Sequence, residues 1–237
     1  MKYSFFVLFF ISNFAEAEEW LTPEFKVKNI YSVADKLTDK TSLSLWVAGA
    51  LASYQFQYRD NEFRDQWKDH QQMSTHNADI GNFLGSGIGS AAVLVGQYYW
   101  DDNKEHWQSH LRALGWATLT VTFLKYSFGK QRPGNKDAYV SFPSGHTSTA
   151  FATATSLSYV YGWQAAWIAY PIAAMVGASR MADDMHWISD VVGGAFLGVI
   201  VGRATSSEES ILKRDSSYHL LPSVNSDSLA LNYYKEF

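Results

Sequence analysis

The chain has 237 residues, a formal net charge of −4 at pH 7 and no cysteine. A chain of this length fits one domain with a substantial core. The acidic balance and the lack of a basic stripe argue against a nucleic-acid-binding protein, and the absence of cysteine excludes disulfides and thiolate zinc sites.

The first segment has the pattern of an export signal. Lys2 supplies a positive charge, residues 3–14 form an apolar run, and an A-x-A cleavage sequence ends at Ala17. The alternative is an uncleaved anchor, but the run is shorter than the ~20 residues that a spanning helix needs. We therefore predict a signal peptide at residues 1–17 and an exported protein that works in the periplasm of a Gram-negative host.

Helical patterns dominate the rest of the chain. Residues 18–39 are mixed and polar, and we expect irregular structure there with one short helix. Apolar residues then recur at spacings of three and four, as in Leu114, Ala117 and Val121. Helices are predicted at residues 42–57, 60–71, 76–98, 103–126, 146–160, 163–178 and 187–203. The fold class predicted for residues 18–205 is an all-α helical bundle.

Several uncharged stretches raise the question of membrane spans. Only 12 uncharged residues separate Arg112 from Lys125, and 12 separate Asp190 from Arg203. A 12-residue helix is about 18 Å long, against ~30 Å of hydrocarbon, and the mean hydropathy is low at −0.18. We interpret the bundle as soluble or membrane-peripheral, and an integral membrane protein with a periplasm-facing site as the alternative.

The composition changes at Ser206, where a polar tail of residues 206–237 begins. Within it, YHLLPSV and SLALNYYKEF flank the turn sequence Asn225-Ser226-Asp227. This pattern predicts a small C-terminal β-hairpin.

The first polar cluster is KYSFGKQRP, in which Lys125 ends a predicted helix and Arg132 follows a glycine-containing turn. Cations at a helix C-terminus complement the helix dipole. Taken alone, this cluster is better explained by that structural role than by a binding site.

The second cluster is SFPSGH. Ser144 is a plausible N-cap, and Gly145 allows a bound group to approach the backbone closely. The free N–H groups of the first turn attract an anion, and His146 on that turn can give a proton to the anion's leaving group. A turn that only starts a helix explains the motif equally well.

The third cluster is SRMADDMHWISD. His186 and Asp190 are four residues apart, so on a helix they share a face. A carboxylate there can accept the Nδ1 proton and leave Nε2 free as a nucleophile. A solvated surface pair is the alternative, but the uncharged stretch after Asp190 disfavours it.

Together the clusters contain Lys125, Arg132 and Arg180, two histidines and one orienting carboxylate. Three cations suit a tetrahedral dianion, which arginines can hold bidentately. The carboxylates are too few for a metal cage. Phosphate is the ligand that fits best.

The combined pattern K-x6-RP, PSGH and SR-x5-H-x3-D resembles the superfamily of type 2 phosphatidic acid phosphatases and vanadium haloperoxidases. The resemblance covers roughly Leu43 to Arg203. It implies a helical phosphatase domain at residues 18–205, with no metal cofactor. The phosphate-binding residues it implies are Lys125, Arg132, Ser144, Gly145 and Arg180.

The resemblance also implies roles for three catalytic residues. His186 attacks phosphorus to give a phosphohistidine, and Asp190 orients it. His146 protonates the leaving oxygen and then activates water.

The resulting prediction is a phosphatase acting on phosphomonoesters or on lipid phosphates or pyrophosphates. The many tryptophans and tyrosines are compatible with contact to a membrane surface. A vanadium-dependent haloperoxidase is a weaker alternative because those relatives are longer chains, and intact motifs disfavour a non-catalytic lipid- or envelope-binding module. No site role is assigned to His70, His76, His106, His110 and His219, and Asp183 and Asp184 are interpreted as exposed loop acids.

Overall fold

The computed structural model of the chain describes residues 23–70, 72–206, 218–225 and 228–235. The predicted signal peptide at residues 1–17 lies outside these ranges. The helices are α1 Pro23–Thr38, α2 Lys40–Gln57, α3 Asp60–His70, α4 Thr75–Phe83, α5 Gly89–Trp100, α6 Lys104–Phe128, α7 Gly145–Tyr161, α8 Trp163–Ala182 and α9 Ile188–Thr205. A π-helical turn, Leu84–Ile88, joins α4 to α5.

The all-α prediction is confirmed, and every predicted helix is present. Two differences stand out. The segment expected to be mostly irregular contains the 16-residue helix α1. The helix predicted at 76–98 is interrupted by the π-helical turn, where Gly87 has a φ of 93°, a backbone conformation that glycine adopts without steric cost.

The π-helical turn has a packing reason. A Cβ on Gly85 would lie 2.5 Å from Cγ1 of Val176 and 3.0 Å from Cβ of His146. The absence of a side chain at Gly85 therefore allows the turn to approach α7 and α8 closely, next to His146.

Helix α7 is central and packs against α6, α8 and α9. The core around it is built largely from small residues. Its fully or nearly fully buried members are Ala113, Ala117, Val121, Ala152, Leu197 and Val201.

A row of glycines lets α9 lie directly on α7. Cβ atoms added to Gly194 and Gly198 would lie 2.7 Å and 2.5 Å from the carbonyl oxygens of Ser144 and Ser148. A Cβ on Gly202 would lie 2.7 Å from Cβ of Thr155. The spacing of four residues is the small-residue pattern that brings helix backbones together.

The outer surface of the bundle is rich in large apolar side chains. On α2, Leu43, Val47 and Leu51 are exposed. Further exposed residues on the other helices are Val95, Tyr98, Tyr99 and Trp100 on α5, Leu119 and Phe123 on α6, and Trp167, Ile168 and Ile172 on α8. Small residues inside and large apolar residues outside are the arrangement expected of helices packed in lipid.

Within the described residues, two helical stretches are long and apolar enough to cross a membrane, Thr75–Trp100 and Ile188–Thr205. The 12 uncharged residues between Asp190 and Arg203 underestimate the length of the second helical stretch. Both charged residues lie inside α9, whose 18 residues span about 27 Å.

The C-terminal hairpin is present as predicted. Strands β1 Tyr218–Asn225 and β2 Ser228–Lys235 pair antiparallel, with Asn225 opposite Ser228. Two residues therefore connect the strands, the commonest loop length in hairpins.

Candidate active site

The three polar clusters meet at the end of the bundle where α6 and α8 end and α7 and α9 begin. A cavity of about 570 Å³ lies there. It is lined by Asn82, Arg132, His146, Arg180, Asp183, Met185 and His186. The cavity thus combines at least one residue from each cluster.

His186 is buried beside a carboxylate and a hydroxyl group. Its Nδ1 lies 3.5 Å from Oδ2 of Asp190 and 3.5 Å from Oγ of Ser141. Ser141 donates a hydrogen bond of 2.5 Å to the same carboxylate oxygen. The distance from His186 to Asp190 is long for a hydrogen bond. These contacts engage Nδ1 and leave Nε2 for a substrate.

The expectation that His186 and Asp190 share a helix face is wrong. His186 precedes α9, which begins at Ile188, and Asp190 lies in the first turn of that helix. Asp190 Oδ2 accepts a hydrogen bond of 3.0 Å from the backbone N–H of Trp187. The contact to His186 forms because the carboxylate caps the helix and turns back toward the preceding loop.

Burial in this site lowers the pKa of His186 to about 4, although the Asp190 carboxylate opposes that shift. Removing an imidazolium from water is costly. The imidazole is therefore uncharged at neutral pH, which is the form that can act as a nucleophile.

Two arginines face the cavity with unsatisfied donors. Arg180 is 3% exposed, and its Nη1 donates to Asn82 Oδ1 and Asp183 Oδ2, both at 2.8 Å. Among the described residues, the Nε atoms of Arg180 and Arg132 are buried without a hydrogen-bond acceptor. Because buried donors of this kind are costly to leave unpaired, the pair forms a natural receptor for an anion.

Ser144 and Gly145 begin α7 in the way the sequence suggests. Ser144 Oγ accepts a hydrogen bond from Thr147 N at 3.4 Å, and its own N–H donates to the carbonyl of Asp190 at 3.0 Å. Neither residue is among those that line the cavity in the described part of the chain. Their observed contacts fix the start of α7, which carries His146, to the start of α9.

Lys125 is also not among the residues that line the cavity in the described part of the chain. Its Nζ donates to the carbonyl oxygens of Val140 at 2.5 Å and Ser141 at 3.3 Å. In this arrangement the ammonium group holds the segment that carries Ser141, and Ser141 in turn contacts Asp190 and His186.

Asn82, Asp60 and Lys130 are among the polar residues at the site that sequence reasoning missed. Asn82 bonds Arg180, and Lys130 Nζ lies 2.8 Å from Asp60 Oδ2 and 2.9 Å from Asp190 Oδ1. A lone amide in an uncharged stretch was the available signal for Asn82. Lys130 stands inside the first cluster, but nothing near Asp60 in the sequence indicates that the two meet.

The acids of the third cluster are engaged in ion pairs. Asp183 pairs with Arg180 and lines the cavity. Asp184 is half-buried and accepts two hydrogen bonds from Arg64, at 2.6 and 2.7 Å, with Lys68 at 3.1 Å. The interpretation of Asp184 as an exposed loop acid is therefore wrong, because an arginine and a lysine on α3 cover it.

The histidines outside the motifs whose side chains are described are not among the residues that line the cavity. His110 is fully buried, with Nδ1 2.8 Å from Gln97 Oε1 and Nε2 3.1 Å from Thr153 Oγ1. His106 Nδ1 lies 2.7 Å from Asp101 Oδ2. His70 and His76 are exposed, and the side chain of His219 is outside the described part.

Comparison with known proteins agrees with this architecture. Residues 109–208, which contain all three clusters, match the model of the PAP2 superfamily. Over 108 residues the chain is 42% identical to a Porphyromonas gingivalis protein named lipid A 1-phosphatase. This match covers 44% of the present chain and 24% of the Porphyromonas gingivalis protein. Over 148 residues it is 30% identical to a PA-phosphatase related-family protein of Dictyostelium discoideum, and this match covers 48% of the present chain and 54% of that protein. The chain thus spans between about a quarter and about half of these relatives.

A solved structure is also similar. The crystal structure of Aquifex aeolicus LpxE matches with a TM-score of 0.51 and 26% sequence identity, over 64% of this chain and 92% of that chain. The family match over residues 109–208, together with the three motifs at one cavity, makes this chain similar to the proteins of the PAP2 superfamily.

Proposed function

We propose that this protein is a phosphatase that hydrolyses a phosphate ester through a phosphohistidine intermediate without a metal ion. The observation that carries the proposal is the meeting of two histidines and two arginines at one cavity, with both arginine Nε donors unpaired in the described part of the chain. An uncharged buried imidazole beside a carboxylate supplies the nucleophile, and the arginines supply the charge that a phosphate dianion requires.

In the first step, Nε2 of His186 forms a bond to phosphorus while the bond from phosphorus to the leaving oxygen breaks. His146 donates its proton to that oxygen. Arg132 and Arg180 stabilise the charge on the equatorial oxygens, and each such donor is worth ~10²–10³ in rate. Asp190 holds the Nδ1 proton and stabilises the cationic ring that forms.

In the second step, His146 takes a proton from water, and the water oxygen bonds to phosphorus. The phosphorus–nitrogen bond breaks, inorganic phosphate leaves, and His186 is restored. Each proton given by His146 in one step is regained in the other, so the cycle balances.

We further propose a lipid phosphate as the substrate and a membrane as the place of action. The exposed apolar side chains on α2, α5, α6 and α8 support this proposal, as do the two helical stretches of membrane length. The names of the relatives, a lipid A 1-phosphatase and an Arabidopsis thaliana lipid phosphate phosphatase, point the same way. With the predicted export signal, the site belongs on the periplasmic side.

The test is phosphate release by the purified protein in detergent, with EDTA present. The substrates are a generic phosphomonoester, phosphatidic acid and a sugar-1-phosphate lipid. We expect the lipids to be preferred, and His186→Ala to lower turnover at least about 10⁴-fold while vanadate still protects the variant against thermal unfolding.

His70→Ala is the matched control, because His70 is exposed and away from the cavity; its activity should equal that of the parent. Parent-like turnover by His186→Ala would overturn the nucleophile assignment. Loss of parent activity in EDTA would overturn the metal-free mechanism.

A further inference from the structure

We propose that Lys130 and Asp60 are positioning residues that hold the Asp190 carboxylate in the orientation required by His186. This inference rests on the proposed phosphatase function. Neither residue lines the cavity within the described part of the chain, so both would act through Asp190 rather than on the substrate.

The Lys130 ammonium group sits among three acceptors. Its Nζ donates to Asp60 Oδ2 at 2.8 Å and to Ser189 Oγ at 2.6 Å. It also lies 2.9 Å from Asp190 Oδ1, as a close ion pair without hydrogen-bond alignment. One cation therefore bridges two buried carboxylates, one of them the partner of the proposed nucleophile.

Asp60 anchors the same cluster to the start of α9. It is 6% exposed, and its Oδ1 accepts from the backbone N–H of Ser189 at 3.0 Å and from Ser189 Oγ at 2.8 Å. A carboxylate at a helix N-terminus is favourable by itself. Here it also fixes the ammonium group, because Asp60 belongs to α3 and Lys130 to the loop after α6.

The two oxygens of Asp190 thus have separate environments. Oδ1 faces Lys130, whereas Oδ2 receives Ser141 Oγ and Trp187 N and faces His186. Holding Oδ1 fixes the rotation of the carboxylate and so directs Oδ2 toward Nδ1. Other charged or titratable groups that act on His186 include Lys125, Arg132 and His146. Arg180 and Asp183 line the same cavity as His186. Arg64 and Asp184 lie with His186 around a smaller neighbouring pocket.

The ion pair at the other end of α9 shows what a purely structural pair looks like. Arg203 donates to both carboxylate oxygens of Asp39, at 3.1 and 2.6 Å, and neither residue is among those described as lining the cavity. Lys130 differs because its third neighbour is the carboxylate that contacts His186.

The first experiment compares Lys130→Met, Lys130→Arg and the parent. Without the cation, one of two close buried carboxylates tends to take up a proton, which weakens the support for the Nδ1 proton of His186. We expect kcat to fall about 10- to 100-fold, the range found for residues that orient metal-ligating side chains, with little change in KM. The acid limb of the pH–rate profile should move to higher pH by about one unit. Lys130→Arg should restore most of both properties.

Lys136→Met is the matched control, since Lys136 is an exposed lysine on the same loop; it should leave kcat and the pH profile unchanged. A parent-like pH profile and kcat in Lys130→Met would overturn the inference, as would an equal loss in Lys136→Met. If Lys130→Met fails to fold, Lys130→Gln keeps a donor without the charge and must show the same shift.

A readout that does not depend on turnover separates this inference from the proposed function. Nitrogen NMR of ¹⁵N-histidine-labelled protein reports the tautomer and pKa of His186, with His186→Gln used to assign its signals. We expect Lys130→Met to change both the tautomer and the pKa of His186. In the pH–rate profile, Asp60→Asn should not move the acid limb to higher pH, because Lys130 then pairs with Asp190 alone. An inactive parent would overturn the function, whereas an unchanged His186 spectrum in Lys130→Met would overturn the positioning role.

Discussion

At the scale of single residues, His186 is the group with the clearest thermodynamic consequence. Its side chain is 4% exposed, and burial lowers its pKa from about 6.5 to about 4. The unfolded chain therefore binds a proton at His186 over a pH range in which the folded chain does not. Such a group contributes stability above pH 6.5 that is lost as the pH falls toward 4.

We therefore predict that replacing His186 by glutamine makes stability less dependent on pH. Between pH 7 and pH 4.5 the free energy of unfolding should fall less in His186→Gln than in the parent. Denaturant titration at each pH, in the same detergent, measures this free energy of unfolding. His70→Gln removes an exposed histidine and should keep the parental slope; equal slopes in His186→Gln and the parent would contradict the prediction.

The residues of the site were predictable where they lie close together in sequence and carry chemistry together. Arg132, His146, Arg180 and His186 belong to compact motifs, and all four line the cavity. Lys130 could not be singled out from sequence, because its importance depends on Asp60, which is 70 positions away and reaches it only through tertiary packing.

At the scale of elements, the contact between α7 and α9 decides whether the site is assembled. His146 begins one helix and Asp190 the other, and the glycine row on α9 sets their separation. A Cβ on Gly198 would come within 2.5 Å of the Ser148 carbonyl oxygen and 2.6 Å of Phe151 Cβ. These are backbone and Cβ atoms, which cannot move aside without shifting a helix.

Two glycine-to-alanine substitutions should therefore act in opposite directions. Gly198→Ala should destabilise the protein by about 1–3 kcal/mol through overpacking and lower kcat. Gly115→Ala lies on α6 where a Cβ meets nothing within 4 Å, so its better helix propensity should stabilise by up to about 1 kcal/mol. Thermal unfolding of both variants measures the difference, and a stabilising Gly198→Ala would refute the packing argument.

The helices were predictable because apolar and small residues follow the helical period over long stretches. The interruption at Leu84–Ile88 was not, since it depends on how closely Gly85 approaches Val176 and His146. Helix α1 was underestimated because its polar composition hides the helical period. Its end packs against distant residues, with Lys36 Nζ donating to the Ser206 carbonyl at 2.5 Å.

At the scale of the whole molecule, many large apolar side chains lie on the outside of the bundle. The core is rich in alanine, glycine, serine and threonine beside valine, leucine and isoleucine, whereas side chains such as Trp100, 85% exposed, lie on the outside. The mean hydropathy of −0.18 conceals this, because it averages the outer helix faces with polar loops, α3 and the tail. Which side chains of each helix face outward could not be predicted from the sequence, because it depends on how the helices pack in the bundle.

A charged substitution on the outer surface distinguishes a lipid environment from water. Leu119 on α6 is 66% exposed. In water Leu119→Lys should be nearly neutral or improve solubility, whereas in a bilayer we expect a cost of about 2.5–3.5 kcal/mol and a lower yield in the membrane fraction. Tyr139→Lys, on a loop at 58% exposure, is the control and should leave the yield unchanged; unchanged yield for Leu119→Lys would argue for a soluble bundle.

The close seam between α7 and α9 also has a mechanical consequence. Gly194 and Gly198 place the two backbones in contact, and the Ser144 N–H donates a hydrogen bond to the Asp190 carbonyl. We therefore expect His146 and Asp190 to keep a fixed separation. Arg132 instead stands on the loop between α6 and α7. Under the proposed function, we therefore expect any motion that admits substrate to occur in that loop rather than between α7 and α9.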